Sequence, residues 1–283
     1  MAAYRVSFLI IGYNFLTDEP TVVGFVFRET WANTKGVKNM SCAFNLDVCN
    51  MLFSVSCIYP STMRYCEGYL SDRQGTHVIT ITQSDIDAER ENCIKEESGV
   101  DPSLLTCSDS HMEIITLLRK IADYITKYNR ALMHGSAICV DGKAYIFTAL
   151  SGTGKSTHTA LLRKLLGDRC TMINDDKPFL IFEQDQVYVC GTPWMGKHRI
   201  GNNIMKPLGG IFFLRRSEEN SLQEMKPNKA LPLMLSQIHR PVDSECMLHT
   251  LDMLDGLLSK VPLYDFACNM DISAAELSSS VMK

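Results

Sequence analysis

The sequence lacks the features that mark two common classes of protein. It contains no run of Lys and Arg, and its net charge of -4 gives no electrostatic reason to bind nucleic acid. No apolar run approaches the length of roughly 20 residues that a membrane-spanning helix needs. The apolar residues 6–11 are too few to cross a membrane and lack a small-residue cleavage site, so we predict a strand there. We therefore expect neither nucleic acid nor a membrane among the partners.

Cysteine is abundant, but it lacks any recognisable spacing. The 11 cysteines are scattered and odd in number, and no two of them form a C-x-x-C pair. This spacing excludes a zinc ribbon or knuckle. We expect free, buried thiols that behave as small apolar side chains. Because reduced thiols are typical of the cytosol, we predict a cytoplasmic protein.

One short stretch carries a specific chemical signal. Residues 149–156 read Ala-Leu-Ser-Gly-Thr-Gly-Lys-Ser, between a buried-strand pattern at Lys143–Thr148 and a helical pattern at residues 157–166. This is the context of a phosphate-binding loop, whose backbone N–H groups converge on phosphate oxygens. Ala149 replaces the first glycine of the strict motif. We predict that a nucleotide polyphosphate is bound by Ser151, Gly152, Thr153, Gly154, Lys155, Ser156 and Thr157.

Two adjacent acids downstream have an obvious use beside such a loop. In a loop of this kind, Lys155 reaches the β- and γ-phosphates, and the Ser156 hydroxyl lies on Mg²⁺. The acids follow a short apolar run at residues 169–173. One of Asp175 and Asp176 can hold Mg²⁺, directly or through water, and the other can accept the proton of an attacking hydroxyl; the kinase hypothesis gives the metal to Asp176 and the proton to Asp175. The alternative is a pair of surface acids in a turn.

A third stretch concentrates cations and an aromatic ring. Residues 191–199 read Gly-Thr-Pro-Trp-Met-Gly-Lys-His-Arg, a composition that can bind phosphate and shape a pocket. We predict that Lys197 neutralises charge on a transferred phosphoryl group. A structural turn with a buried Trp and solvated cations is the alternative, and arginines at strand ends are often simply exposed. The predicted contacts to an acceptor substrate are Thr192, Trp194, Arg199 and Arg215.

Hydrophobic periodicity and turn residues predict an α/β fold. They also predict that the chain is divided into two parts. Residues 1–128 form a smaller α+β module of unknown role, and residues 129–283 form the nucleotide-binding part. The first part has strands at residues 4–11, 21–27, 50–58 and 77–82, a loop at 96–102, and capping boxes at 84–87 and 110–113 that open two helices. The second part has a strand at residues 130–140 that turns at Asp141-Gly142 into the strand before the glycine loop, which predicts a mixed sheet. The remaining predicted elements are the hairpin Phe179–Glu183 and Gln186–Cys190, a strand at 207–214, helices at 229–238 and 244–259, the strand Leu263–Cys268 and a last helix from Asp271.

These motifs together resemble the superfamily of phosphoenolpyruvate carboxykinases and HPr kinase/phosphorylases. Residues 150–157 match the Leu-Ser-Gly-Thr-Gly-Lys-Thr-Thr loop of the carboxykinases, with Ser156 in place of the first Thr after the Lys. Residues 133–137 match their Met-His-x-Ser-Ala stretch, and Asp175-Asp176 matches the acidic pair of both families. The resemblance covers residues 130–215 well, the tail loosely, and residues 1–128 not at all. The Gly-Thr-Pro-Trp-x-Gly-Lys loop is most similar to that of a bacterial group of such kinase-like proteins.

The resemblance implies a P-loop kinase that transfers a phosphoryl group from ATP, or from ADP or pyrophosphate, with Mg²⁺. His134 would be a metal ligand, as in the carboxykinases, or a partner of the catalytic Asp175, as in the HPr kinases. The expected acceptor is a serine hydroxyl, free or on a protein or peptide, or a small polyol. Two other functions stay open: a carboxykinase-type lyase, and a non-catalytic nucleotide-gated binding protein. The first 128 residues could select the substrate or mediate a homo-oligomer.

Overall fold

The computed structural model describes residues 42–96 and 107–283. The strands predicted at residues 4–11 and 21–27 lie outside the described residues, as does most of the loop predicted at residues 96–102. The described part has a mixed α/β fold, as the sequence predicts. No helix in these two ranges is long and apolar enough to cross a membrane.

The N-terminal elements form a small three-stranded sheet packed on helices. Strand β2 (Met51–Cys57) alternates between buried and half-buried residues. Its buried residues Met51, Phe53, Val55 and Cys57 therefore face the same core as the apolar stripe of helix α3 (Asp109–Thr126). β2 pairs antiparallel with β1 and parallel with β3. The elements are β1 (Cys42–Val48), β2 (Met51–Cys57), α1 (Pro60–Tyr65), β3 (His77–Thr80), α2 (Gln83–Glu96) and α3 (Asp109–Thr126).

The two capping boxes predicted in this part are each placed too late in the chain. In α2 the reciprocal bonds join Thr82 and Asp85: the Thr82 N–H donates to Asp85 Oδ2 at 2.8 Å, and the Asp85 N–H donates to Thr82 Oγ1 at 3.4 Å. In α3 the N-cap is Ser108, whose side chain accepts from the His111 N–H at 3.3 Å. The predicted caps Ser84 and Ser110 lie inside the helices, because each preceding hydroxyl residue already closes the first turn.

Glu113, predicted as the end of a capping box, caps a different helix. Its carboxylate is fully buried and accepts hydrogen bonds from the Ile58 N–H at 2.6 Å, the Tyr59 N–H at 3.0 Å and the Thr62 hydroxyl at 2.5 Å. It therefore holds the start of α1 against α3.

We expect Glu113→Gln to lower the free energy of unfolding by about 3 kcal/mol, because an amide NH₂ would face donors that the carboxylate now satisfies. Urea unfolding measures the change as a lower midpoint at unchanged slope. Glu67→Gln, an exposed position in the same part, is the matched control and should change the midpoint little. Equal midpoints for the two variants would contradict this role of Glu113.

The larger sheet has nine strands and carries the glycine loop at one end. Strand β10 (Met205–Arg216) pairs in parallel with β6 (Lys143–Thr148) and β12 (Leu263–Cys268), and antiparallel with β9 (Gln186–Cys190). Strand β5 (Ser136–Val140) runs antiparallel to both β6 and β7 (Cys170–Asn174). The sheet is therefore mixed, as predicted. Its strands are β4 (Arg130–Leu132), β5 (Ser136–Val140), β6 (Lys143–Thr148), β7 (Cys170–Asn174), β8 (Phe179–Glu183), β9 (Gln186–Cys190), β10 (Met205–Arg216), β11 (Ser221–Glu224) and β12 (Leu263–Cys268). Its helices are α4 (Lys155–Leu166), α5 (Pro227–Leu235), α6 (Ser244–Lys260) and α7 (Ile272–Ser279).

The single strand predicted at residues 130–140 is wrong, because the chain breaks it into β4 and β5. The backbone N–H groups between them leave the sheet: the His134 N–H donates to Gln237 O at 2.7 Å, and the Gly135 N–H donates to Asp176 O at 3.0 Å. A Cβ at Gly135 would lie 2.9 Å from Ile146 Cγ2, so the close approach of backbone favours glycine here. The break places His134 beside the acid pair.

Candidate functional site

The glycine loop lies between β6 and α4, as the sequence predicts. Gly152 has φ 74° and Gly154 has φ 118°, values in the left-handed region that favours glycine. Gly154 is also the N-cap of α4, so the helix begins at Lys155, two residues before the predicted helical pattern. Ala149 is not among the described residues with positive φ, so the alanine in place of the first glycine introduces no such strain.

Lys155 folds back over this loop. Its Nζ donates to Ala149 O at 3.1 Å and to Leu150 O at 3.4 Å, and the residue is 7% exposed. Burial lowers the pKa of Lys155 to about 8, and the negative charges of Asp176 and Asp175 act in the opposite direction. The ammonium therefore lies within the electrostatic reach of both acids.

A turn built on Asn174 presents the acid pair. Its side-chain oxygen accepts from the Asp176 N–H at 2.9 Å and the Lys177 N–H at 2.7 Å, while its amide donates to Thr192 O and Oγ1, both at 3.0 Å. The Thr192 hydroxyl in turn donates to Lys177 O at 2.7 Å. Thr192, predicted to contact an acceptor, is fully buried and joins this turn to the loop at residues 191–199.

Asp175 shares a hydroxyl network with the start of α4. Its Oδ1 accepts from the Ser136 hydroxyl at 2.6 Å, and Ser136 lies 2.9 Å from the Thr159 hydroxyl on α4. Burial raises the pKa of Asp175, while hydrogen bonds from Ser136 and Ser156 oppose the rise. Asp175 therefore lies next to Ser156, the predicted Mg²⁺ ligand of the glycine loop.

Asp176 faces His134 on the other side of the pair. Its Oδ1 lies 3.4 Å from His134 Nε2 and 3.3 Å from Lys177 Nζ. Among the described residues, no contact is found between His134 and Asp175. The observed His134–Asp176 contact therefore differs from the pairing of His134 with the catalytic Asp175 that the resemblance to HPr kinases implies. The ring instead faces Asp176, the acid predicted to hold Mg²⁺.

His134 contacts Gln237 through one ring nitrogen and Asp176 through the other. Its Nδ1 lies 3.0 Å from Gln237 Oε1, and the orientation of that amide is set because its Nε2 donates to Ser236 Oγ at 3.0 Å. Burial, together with the positive charges of Lys177 and Lys155, lowers the pKa of His134 well below its usual value, which favours the neutral ring. A proton on Nδ1 would donate to Gln237 Oε1, and the Nε2 lone pair would then face the Asp176 carboxylate.

The loop at residues 191–199 covers the acid pair. A Cβ at Gly196, where φ is 68°, would lie 3.2 Å from Asp176 Cβ, so the loop backbone passes close over that acid. The next two residues, Lys197 and His198, are exposed. The predicted catalytic Lys197 therefore directly follows the residue whose backbone approaches Asp176.

Three of the predicted acceptor contacts are engaged with the protein itself. Trp194 is 4% exposed, and its indole N–H donates to Ile114 O at 3.1 Å. Arg199 donates to Tyr65 O at 2.7 Å and lies 3.9 Å above the Tyr65 ring. Arg215 forms an exposed ion pair with Asp265 at 3.1 Å.

The residues that sequence reasoning did not single out are mainly those that orient others. Asn174 and Lys177 were visible beside the acids, and Ser136 lies in the Met-His-x-Ser-Ala stretch, so local sequence held a signal for them. Gln237 lies more than a hundred residues from His134 in the chain, and nothing near it in sequence marks it. Its role depends on tertiary contact alone.

Arg216, at the end of β10, donates hydrogen bonds to the backbone of the glycine loop. Its Nε donates to Thr153 O at 3.3 Å, and a second guanidinium nitrogen contacts Gly152 O. These two contacts fix the orientation of the peptides that follow Gly152 and Thr153 in the loop.

We expect Arg216→Ala to weaken nucleotide binding about tenfold, because the loop loses two charge-assisted hydrogen bonds that orient its peptides. Calorimetric titration with Mg-ATP measures this. Arg169→Ala, which removes an exposed arginine paired with Asp141 at the opposite end of the strands, is the control. Unchanged affinity in Arg216→Ala would remove this residue from the site.

The residues present fit a magnesium ion that is shared with a nucleotide. Among residues 42–96 and 107–283, no group of three or more His, Cys, Asp and Glu is arranged to hold a metal. Mg²⁺ does not require such a cage, because it is commonly bound by one or two carboxylates together with substrate phosphates and water. Ser156 is exposed and is hydrogen-bonded to Asp175, which is next to Asp176 in the chain, so a hydroxyl and a carboxylate are available near the glycine loop.

Comparisons with known proteins identify no family. No protein-family model matches the chain, and no curated protein matches it. Among solved structures, it is similar to the Hpr(Ser) kinase/phosphatase from Coxiella burnetii, with 12% identity and a TM-score of 0.32 over 53% of this chain and 87% of that one. At this level of similarity, a function can be proposed only from the geometry of the site.

Proposed function

We propose that the protein is a Mg-nucleotide-dependent kinase that transfers a phosphoryl group to a hydroxyl. The observation that supports this proposal is that the acid pair lies close to the glycine loop and to the start of α4. Asp175 is hydrogen-bonded to Ser136 and to Ser156 at the start of α4, and both acids act electrostatically on Lys155. A loop that only sensed a nucleotide would need no buried carboxylate at this position.

The loop would bind the polyphosphate of the nucleotide through residues 151–157. Two of its glycines adopt left-handed conformations, and the positive end of the α4 dipole lies directly behind them. A phosphate oxygen is a stronger partner for the Lys155 ammonium than the two carbonyls that it contacts. The donor is ATP, with ADP or pyrophosphate as the alternatives.

Ser156 and Asp176 would hold Mg²⁺, with the His134 lone pair directed toward the same acid. When bound, the ion would neutralise charge on the phosphate oxygens. The protein's own contribution here is orientation: Gln237 sets the proton position on His134, and Asn174 sets the direction of the Asp176 backbone.

Asp175 would act as the general base toward the acceptor. Burial raises its pKa, and a carboxylate whose pKa moves toward neutrality is a better proton acceptor at pH 7. The acceptor hydroxyl gives its proton to Asp175 while its oxygen bonds to the terminal phosphorus, and the bond from that phosphorus to the leaving phosphate oxygen breaks. Lys155 and Lys197 would neutralise the charge spread over the transferred group. The acceptor class is a serine hydroxyl, free or on a protein or peptide, or a small polyol.

Transfer from labelled ATP and Mg²⁺ tests the proposal, with free amino acids, polyols and a cell extract as acceptors. We expect one acceptor class to become labelled, and the label to disappear when a chelator removes Mg²⁺. Tight ATP binding with no labelled product would favour a nucleotide-gated binding protein instead. Nucleotide-dependent consumption of oxaloacetate would favour the carboxykinase-type lyase.

A further inference from the structure

The loop that covers the acid pair is attached to the N-terminal elements at two points. The Trp194 indole donates to Ile114 O on α3 and stacks on Phe179, with ring centroids 6.3 Å apart. Arg199 reaches Tyr65, the last residue of α1. Between these two attachments lies the segment that passes over Asp176.

Arg199 is held in a conformation that it would not adopt by itself. Its φ is 52°, in the left-handed region that is unfavourable for a side chain of this size. Such a conformation persists only where surrounding contacts determine it. Here the guanidinium donates to Pro193 O at 3.0 Å and to Tyr65 O at 2.7 Å, and it stacks on the Tyr65 ring at 3.9 Å. We call this pair of side chains, Tyr65 and Arg199, the latch.

We propose that the latch positions the acceptor side of the site, so that α1 sets the placement of Lys197 and His198 above the acid pair. The inference rests on the proposed kinase function for its catalytic readout, but its structural readout does not need that function. Tyr65 and Arg199 are positioning residues, since they act through the loop between them and the acids. This assigns a role to the N-terminal part: it shapes the site through the loop at residues 191–199.

Electrostatic contacts agree with this placement. Burial raises the pKa of Tyr65, the Arg199 guanidinium opposes the rise, and Asp176 adds to it. Asp175 in turn lies within the electrostatic reach of His198. The latch and the acids are therefore neighbours, and a displaced loop would change the acceptor side while leaving the glycine loop in place.

Limited trypsin digestion gives a readout that is independent of activity. In wild type the latch should protect the peptide bond after Lys197 from trypsin. Tyr65→Leu keeps Lys197 and Arg199 as trypsin sites, and we expect cleavage after Lys197 to be about tenfold faster in this variant. Tyr65→Phe keeps the ring face and the backbone carbonyl, and should digest like wild type. Arg169→Leu, at the opposite end of the sheet, controls for loss of an exposed arginine pair. Thermal unfolding identifies any variant that is globally destabilised.

The catalytic readout separates the two halves of the site. In Tyr65→Leu and Arg199→Leu we expect phosphoryl transfer to free serine, or ATP hydrolysis with water as the acceptor, to fall about tenfold or more. Affinity for Mg-ATP should stay within about twofold, and Tyr65→Phe should retain most turnover. If Tyr65→Leu is digested and turns over at the same rates as the wild-type protein, the proposed role of the latch is wrong. Failure of the wild-type protein to bind Mg-ATP would overturn the kinase proposal, and digestion would then still decide whether the latch exists.

Discussion

Replacing Lys155 with alanine is expected to abolish phosphoryl transfer, with a loss of at least about 10³-fold in turnover. Lys155 lies over the glycine loop and within electrostatic reach of both acids, so it is near both ends of the proposed reaction. Without it, no ammonium in the loop can meet the phosphate oxygens, whose charge grows as the phosphoryl group is transferred. Mg-ATP binding should weaken in parallel, since the same contact holds the phosphates before reaction.

Loss of activity in this variant should not come from unfolding. Burial opposes the charged form of Lys155, so its removal relieves an unfavourable term in the absence of nucleotide. In wild type, Mg-ATP at about 100 times its Kd should add about 2.7 kcal/mol to the free energy of unfolding, and this increment should vanish in Lys155→Ala. Lys164→Ala, an exposed position on the same helix, is the matched control. An undiminished ATP increment in Lys155→Ala would refute the phosphate-binding role of the loop.

Asp175→Asn is expected to lower transfer by about 10²–10⁴-fold while nucleotide binding stays largely intact. The amide has the shape of the carboxylate, and its oxygen can still accept from the Ser136 hydroxyl, so the local packing is retained. What the amide cannot do is accept a proton from the acceptor hydroxyl. The effect should therefore appear in kcat, with little change in the affinity for Mg-ATP.

Asp176→Asn and Asp168→Asn complete this comparison. Asp176 faces His134 and is assigned to the metal side, so its replacement should raise the Mg²⁺ concentration needed for half-maximal activity. Asp168, exposed near the end of α4, should behave as wild type. Retained turnover in Asp175→Asn together with loss in Asp176→Asn would exchange the two roles and make the acid beside His134 the base.

The elements with strong local signals are those that the sequence predicted well. β6, the hairpin of β8 and β9, and β12 have the predicted bounds, because alternating or continuous apolar residues between turn residues leave few other choices. Predictions were poorest where local patterns compete. Ser84 and Ser110 looked like caps, but Thr82 and Ser108 already occupied that position. Residues 130–140 looked like one strand, but backbone bonds to distant residues divide them at His134.

The sequence by itself determined the chemical inventory: a glycine loop between a strand and a helix, two adjacent acids, and a cationic loop around a Trp. Those features follow from residue types and short spacings, which local chain physics controls. Tertiary structure alone decided which side chains meet: His134 with Asp176 and not Asp175, Gln237 behind His134, and Arg199 on Tyr65. Such pairings depend on the order of the strands in the sheet and on the direction in which each turn orients its side chains. That information is carried by packing across the whole core, so no short stretch of the chain contains it.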